Sequence, residues 1–245
     1  MPTLAALVTK LMVSNILDQD DIRAIQNLPI RHKEFGAHEI IVAEGDRPHE
    51  CCLIGEGFAY RSKSTSDGAR QILSLYIPGE IPDLQSVHLK LMDHDLSTLT
   101  RCKLKFVPHE AIRALTRKRP NVADALWRET LVDASIFREW IVDLGRRSAT
   151  ARVGHLIAEL YCRLEAIGQA RDGKFVFPIT QVELADCLGL TYVHVNRVLQ
   201  DFRKKGLISL NRWEFHVLDQ KRLEEIADFN PAYLHQSPAA QFGLE

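Results

Sequence analysis

Between Glu34 and Val107 apolar and polar residues alternate over short runs, as in Glu39-Ile40-Ile41-Val42 and Gln71-Ile72-Leu73-Ser74-Leu75-Tyr76-Ile77. Gly45, Gly57, Gly68 and Gly79 punctuate these runs at intervals of eleven or twelve residues. Short segments of period two between regular turn signals predict an antiparallel sheet folded back on itself, a small β-roll.

From Pro120 the period changes. Leu126, Thr130, Ala134, Phe137, Ile141 and Leu144 recur at spacings of four and three, a mostly apolar stripe along a helix of roughly 25 residues. Pro120 suits its first turn and Gly145 its end. A second apolar set, Trp127, Leu131, Ile136 and Trp140, lies off that stripe. A helix with two apolar faces needs two surfaces to cover them, and the natural pair is the roll on one side and a second copy of the chain on the other. The plainer alternative is an internal helix of a monomer.

A second helix, Ser148 to Ile167, follows with Ser148 as its cap, and Arg171-Asp172-Gly173 ends it. The segment after it carries the most information. Thr180 and Glu183 stand three apart, the spacing of a capping box, so a helix starts there. Gly189 comes four residues after the small Ala185, where a helix has to stop and turn sharply, and glycine reaches the left-handed conformation without steric cost. Thr191 caps the next helix, and Leu184, Leu188, Leu190, Val195 and Val198 supply the apolar contact between the two. Each constrained position of a helix-turn-helix is thus filled by a suitable residue type. Leu207 to Leu210 and Trp213 to Leu218 read as two strands about a turn at Asn211-Arg212, which makes a wing.

In such a frame Thr180, Thr191, Tyr192, Val193, His194, Asn196 and Arg197 cluster at the edge a duplex would meet. Arg197 has the geometry to grip guanine and Asn196 to pair with adenine, while Arg203, Lys204 and Arg212 would touch phosphates and set register.

Composition narrows the alternatives. Apolar residues make up 46% of the 245-residue chain and charged ones 26%, which excludes a disordered or fibrous protein. A formal net charge of −1 excludes a polycation that coats nucleic acid, so DNA binding has to rest on local charge. The chain shows neither a leader nor a run of ~20 apolar residues, which places it in the cytoplasm with no membrane partner. Five scattered cysteines, never spaced Cys-x-x-Cys, read as thiols. Cys187, just before the second helix of the pair, is either a tolerated thiol or a place where oxidation would disturb docking. No Gly-x-Ser-x-Gly, His-Glu-x-x-His or phosphate-binding glycine loop points to an enzyme.

This order of parts resembles the Crp/Fnr family of bacterial regulators. The resemblance is carried by Ile179 to Leu210, by Phe35-Gly36 through Glu44-Gly45-Asp46 and by Pro78-Gly79-Glu80, and it spans nearly the whole chain. It implies an α+β fold: an N-terminal antiparallel β-roll of jelly-roll type with a helical lead-in (1–119), a long central dimerisation helix (120–146), a C-terminal winged helix-turn-helix (147–229) and a loosely ordered tail (230–245). It also implies a homodimer on a two-fold symmetric DNA site, with RNA polymerase as a further partner and a small-molecule effector in the roll.

Family members that bind cyclic AMP hold the ribose with a glutamate after a glycine, which Gly79-Glu80 retains. They clamp the phosphate with an Arg-Ser pair, where this chain has Leu91-Met92-Asp93-His94-Asp95, and they contact adenine from the central helix, where Phe137 and Arg138 stand here. A pocket around Gly79, Glu80, Phe137 and Arg138 is therefore expected, but not cyclic AMP in the usual mode. The iron–sulfur cofactor of the oxygen-sensing branch needs N-terminal cysteines, and none precedes Cys51. Haem sensing needs an axial His or Cys in the roll, for which His49, His88 and His94 are candidates that a chain of ten histidines also supplies by chance, and the spacing of His88 and His94 beside Asp93 and Asp95 matches no standard metal site, so no cofactor is expected. The remaining alternative is an effector-binding or protein-interaction module whose helix-turn-helix no longer binds DNA.

Overall fold

A computed structural model describes residues 4–14 and 17–236. Their contacts divide into two units: the chain up to Lys63 with Ser74–Ala134, and Ser64–Leu73 with Ser135–His235. No helix is long and apolar enough to cross a membrane.

The alternating segment folds as read. Strands β1 (Arg31–Phe35), β2 (Ile40–Val42), β3 (Glu50–Glu56), β4 (Ala59–Ser64), β5 (Arg70–Tyr76), β6 (Asp95–Thr98) and β7 (Cys102–Pro108) form two sheets, ordered β1-β7-β3 and β2-β6-β4-β5. The pairings are antiparallel. Gly45, Gly57, Gly68 and Gly79 all have φ between +85° and +94°, so the punctuation has a backbone cause. Between the sheets lie Phe35, Cys52, Ile54, Leu96, Leu104 and Phe106.

Two short helices precede the roll, α1 (Ala5–Met12) and α2 (Gln19–Gln26), the latter started by an Asp18/Asp21 capping box. The apolar side of α1 packs into the core. Leu4, Leu7, Val8 and Leu11 are buried in a cluster with Leu53 and Val107 of the sheet, Ile112 and Leu115 of α3 (His109–Lys118), and Val122 and Leu126 of α4 (Pro120–Arg146).

Two rows of ions line the neighbouring surface. The Lys10 ammonium lies 3.6 Å from Glu80 and 3.5 Å from Glu129, and Arg61 lies 3.3 Å from Asp133. Arg61 also donates to the Pro82 carbonyl at 2.6 Å.

Asp83 is fully buried, with Oδ1 accepting from the Cys52 N–H at 2.8 Å. Burial pushes its carboxyl up to about 7, against the opposing pull of that hydrogen bond. An acid raised in the fold binds its proton more tightly there than in the unfolded chain, so stability falls as pH rises from about 4 to about 7 and is flat above. Each unit of pH in that window removes roughly 1.4 kcal/mol. Asp83→Asn keeps the acceptor and cannot ionise. The variant's advantage over the parent in urea melts should therefore be larger at pH 8 than at pH 5; an equal difference at both values would remove Asp83 from the account.

The second unit is built on α5 (Ala149–Ala166), capped by Ser148 as expected. A Cβ on Gly154 would come within 3.1 Å of Ala227 Cβ and 3.4 Å of Phe202 Cζ, so this glycine lets two other helices cross α5 closely. Buried Glu159 accepts from Trp140 Nε1 (3.0 Å), Arg163 Nη1 (2.9 Å) and Tyr233 Oη (2.9 Å), which satisfies a charge that would otherwise be costly inside.

Asp172 and Gly173, read as the end of a helix, instead turn a hairpin between β8 (Ala170–Arg171) and β9 (Lys174–Val176), both residues having positive φ. The part of the tail that is described is also ordered. Pro231–Leu234 forms a 3-10 turn with Leu234 buried, while residues 237–245 lie outside the described chain.

Candidate nucleic-acid interface

Thr180 and Glu183 form both halves of the capping box: Thr180 Oγ1 accepts from the Glu183 N–H at 3.2 Å and Glu183 Oε2 accepts from the Thr180 N–H at 2.7 Å. Helix α6 (Gln181–Leu188) runs from there to Gly189, at φ +60° and ψ 38°. Two residues later Thr191 Oγ1 accepts from the His194 N–H at 3.3 Å and starts α7 (Tyr192–Lys204). Leu184, Ala185, Leu188, Val195, Val198, Leu199 and Phe202 are buried at or between these helices. The scaffold of the turn is the one read from the residues.

Thr180 and Thr191 are thus held as caps, and the other candidates divide by environment. Tyr192 and Val193 are 60% and 57% exposed, a large apolar pair that nothing among the described residues covers, and His194 and Arg197 are exposed beside them. Arg203, Lys204 and Arg212 are exposed cations. Asn196 is only half exposed and both ends of its amide are engaged. Its Nδ2 donates to Gln181 Oε1 at 2.9 Å, and its Oδ1 accepts from Gln200 Nε2 at 2.8 Å. To pair with a base, Asn196 has to exchange these partners, so Gln181 and Gln200 belong to the same polar row. The sequence reading missed both glutamines, although Gln200 continues the 193, 197, 200 spacing of the exposed face.

The wing consists of β10 (Ile208–Asn211) and β11 (Glu214–Val217), with Asn211 opposite Glu214. Its turn is therefore Arg212-Trp213, one residue later than expected, with Arg212 in the left-handed region at φ +55°. Trp213 stands 47% exposed at the tip. Strands β9 and β8 extend the wing into a four-stranded sheet ordered β10-β11-β9-β8, with Phe175 stacked on Phe215. Cys187 is fully buried, and burial pushes its thiol well up from the ordinary range. It is therefore shielded from oxidants while the fold is closed.

The residues of the candidate interface on α4 divide by environment. Leu126 is buried in the core of the first unit, whereas Trp127 (69% exposed), Leu131 (53%) and Ile141 (68%) are open. Thr130 and Leu144 are exposed next to them, and Ala134 and Phe137 are half-buried. Ile136 and Trp140, from the second set, are buried. The exposed positions 127, 131, 138 and 141, with half-buried Ala134 between them, follow a four-three alternation, the heptad repeat of a helix that packs along a helix. Of the residues assigned to an effector pocket, Gly79 and Glu80 lie in the first unit, with Glu80 held by Lys10. Phe137 and Arg138 lie on the stretch of α4 in the second, where Arg138 donates to Ser135 Oγ at 2.7 Å.

A cyclic nucleotide-binding domain model matches residues 32–119, and a Crp-like helix-turn-helix domain model matches 151–226. The chain belongs to the Crp/Fnr family. Among curated members, the transcriptional activator protein FnrL of Cereibacter sphaeroides is 26% identical over 218 residues, covering 86% of this chain and 85% of its own. The nitrogen fixation regulation protein FixK of Bradyrhizobium diazoefficiens is 27% identical over 217 residues, covering 88% and 89%. The solved structure of FixK2 from Bradyrhizobium japonicum shares the fold, with a TM-score of 0.74 at 22% identity over 81% of this chain and 98% of that one. The Crp/Fnr assignment thus rests on both halves of the molecule.

Proposed function

We propose that this Crp/Fnr regulator acts as a homodimer on a two-fold symmetric DNA site, seating α7 in the major groove of each half-site. The observation that carries the reading is the row at the start of α7: Tyr192, Val193, His194 and Arg197 stand exposed on a helix whose opposite side is buried and capped. Arg197 reads a base, the threonine-capped helix starts present free N–H groups to phosphates, and Arg203, Lys204 and Arg212 add their charge there. The exposed heptad row of α4 supports the pairing of two copies, which sets the half-sites about one helical turn, ~34 Å, apart. The named functions of its relatives support regulation of transcription, and RNA polymerase is the partner this reading expects to respond.

The test is binding to a DNA site selected from genomic fragments, measured across salt. Three cationic contacts per half-site, six in all, predict a log–log slope of about −5.4, an affinity loss of about two-thousandfold between 50 and 200 mM salt. A flat response would mark the chain as a module whose helix-turn-helix has lost its duplex. Arg197→Ala should weaken the selected site by about 1–3 kcal/mol and leave non-specific DNA unaffected. An equal loss on both would assign Arg197 to phosphates.

A further inference from the structure

The turn at Pro78-Gly79-Glu80 is the place in the roll where a ligand would be sought, and it is covered by the chain itself. Gly79 has φ +94°, and a Cβ there would lie 2.6 Å from the Ala6 carbonyl oxygen and 3.0 Å from Lys10 Cβ, so the α1 backbone rests directly on the glycine. The Lys10 side chain, 10% exposed, runs between two carboxylates, Glu80 Oε1 at 3.6 Å and Glu129 Oε2 at 3.5 Å. Glu80 is oriented by its other oxygen, which accepts from the Ile77 N–H at 3.0 Å. One turn along α4 from Glu129, Asp133 faces Arg61 at 3.3 Å. Both acids on this side of α4 are therefore matched by cations of the first unit.

We propose that this region is a cation site, formed by Glu80 and Glu129, whose resident occupant is the Lys10 ammonium of α1, so that the roll takes no cyclic nucleotide. Charge decides between ligand classes. Glu80, Glu129 and Asp133 outnumber Lys10 and Arg61, so a phosphate entering here meets net repulsion, whereas a primary ammonium meets two carboxylates at ion-pairing distance. Burial pushes the Glu129 carboxyl up against the opposing pull of Lys10, as expected where one ammonium serves two acids. The anchoring is also apolar: Leu7, Val8 and Leu11 on either side of Lys10 are core residues, so the ammonium is delivered by a helix that the fold already holds. This inference goes beyond the DNA-reading proposal and is tested without DNA.

The experiment is thermal unfolding of the full chain. Lys10→Ala leaves two buried carboxylates without their cation and should lower the melting transition by roughly 6 °C or more. The atoms removed correspond to n-propylammonium, which should restore more than half of that loss in a saturable manner, while n-propanol and sodium chloride at equal concentration should not. Lys10→Met fills the stem space without charge and should be equally destabilised but not rescued. Millimolar cyclic AMP or cyclic GMP should leave the parent's melting temperature unchanged. If Lys10→Ala does not fold, adding Glu80→Gln and Glu129→Gln should recover folding, because the uncompensated charge is then gone. An unshifted Lys10→Ala, equal rescue by propanol, failure of the triple variant to fold, or a saturable shift of the parent by a cyclic nucleotide would each overturn the assignment.

Discussion

A Leu131→Asp/Ile141→Asp double variant is expected to sediment as a monomer and to bind its DNA site on the order of 10⁴-fold more weakly than the parent. Both side chains are more than half exposed in the single chain, so the substitutions remove nothing from its own core and the variant should keep the parent's circular dichroism. In a dimer the same positions face a second α4, where four carboxylates in place of four aliphatic side chains would repel one another across a desolvated seam. A symmetric site bound at nanomolar strength draws about 12 kcal/mol from two half-sites. A monomer keeps one of them, and loses the effective concentration that the linkage supplies. Phe137→Asp is a poorer probe, because Phe137 is half-buried and its loss also disturbs the chain that carries it. A double variant that still sediments as a dimer would move the interface away from α4.

The second large effect is expected at the turn between α6 and α7. Gly189→Val places a β-branched residue at φ +60°, and its Cβ would also fall 2.9 Å from Leu144 Cδ2. The left-handed conformation alone costs roughly 1–2 kcal/mol for a side chain with a Cβ, and more for a branched one. With the clash the cost should reach about 3 kcal/mol, taken from the reader and not from the roll. Gly189→Asn provides the contrast: asparagine tolerates this region of backbone space, and Leu144, 37% exposed at its end, can give way. Urea melts monitored in the second unit should therefore rank glycine, asparagine, valine, and affinity for DNA should follow the same order. Equal destabilisation by asparagine and valine would mean that crowding against Leu144, and not the backbone, sets the cost.

What the sequence revealed and what it concealed follow from the range of the interactions involved. Thr180 with Glu183, Gly189 and Thr191 act over three or four residues, and each is legible because its partner sits within the same turn of chain. The four glycines of the roll are legible for a related reason, since a positive φ is a property of one residue. Errors arose where a distant partner decides. Leu126 and Trp127 are adjacent and both apolar, and only the cluster formed by α1, the sheet and α3 determines which of them turns inward. Nothing local marks Lys10, because the two glutamates beside it stand 70 and 119 positions later in the chain. Asn196 reads as free to meet adenine until Gln181 and Gln200 engage its amide. The β8–β9 hairpin escaped because strands of two and three residues show no alternation, although the Asp172-Gly173 pair is itself a strong hairpin signal.

The thiols turn this architecture into a clock. Cys51, Cys52, Cys102 and Cys187 are all buried, the first three in the sheets of the first unit and the last near the end of α6. A maleimide reaches such a sulfur only after its surroundings have opened, so the mass gained by each peptide over time reports the breathing of that region. The order in which the three peptides, carrying Cys51-Cys52, Cys102 and Cys187, gain mass would then state, without any engineered label, whether the reader or the roll loosens first, and whether operator DNA slows the one at position 187.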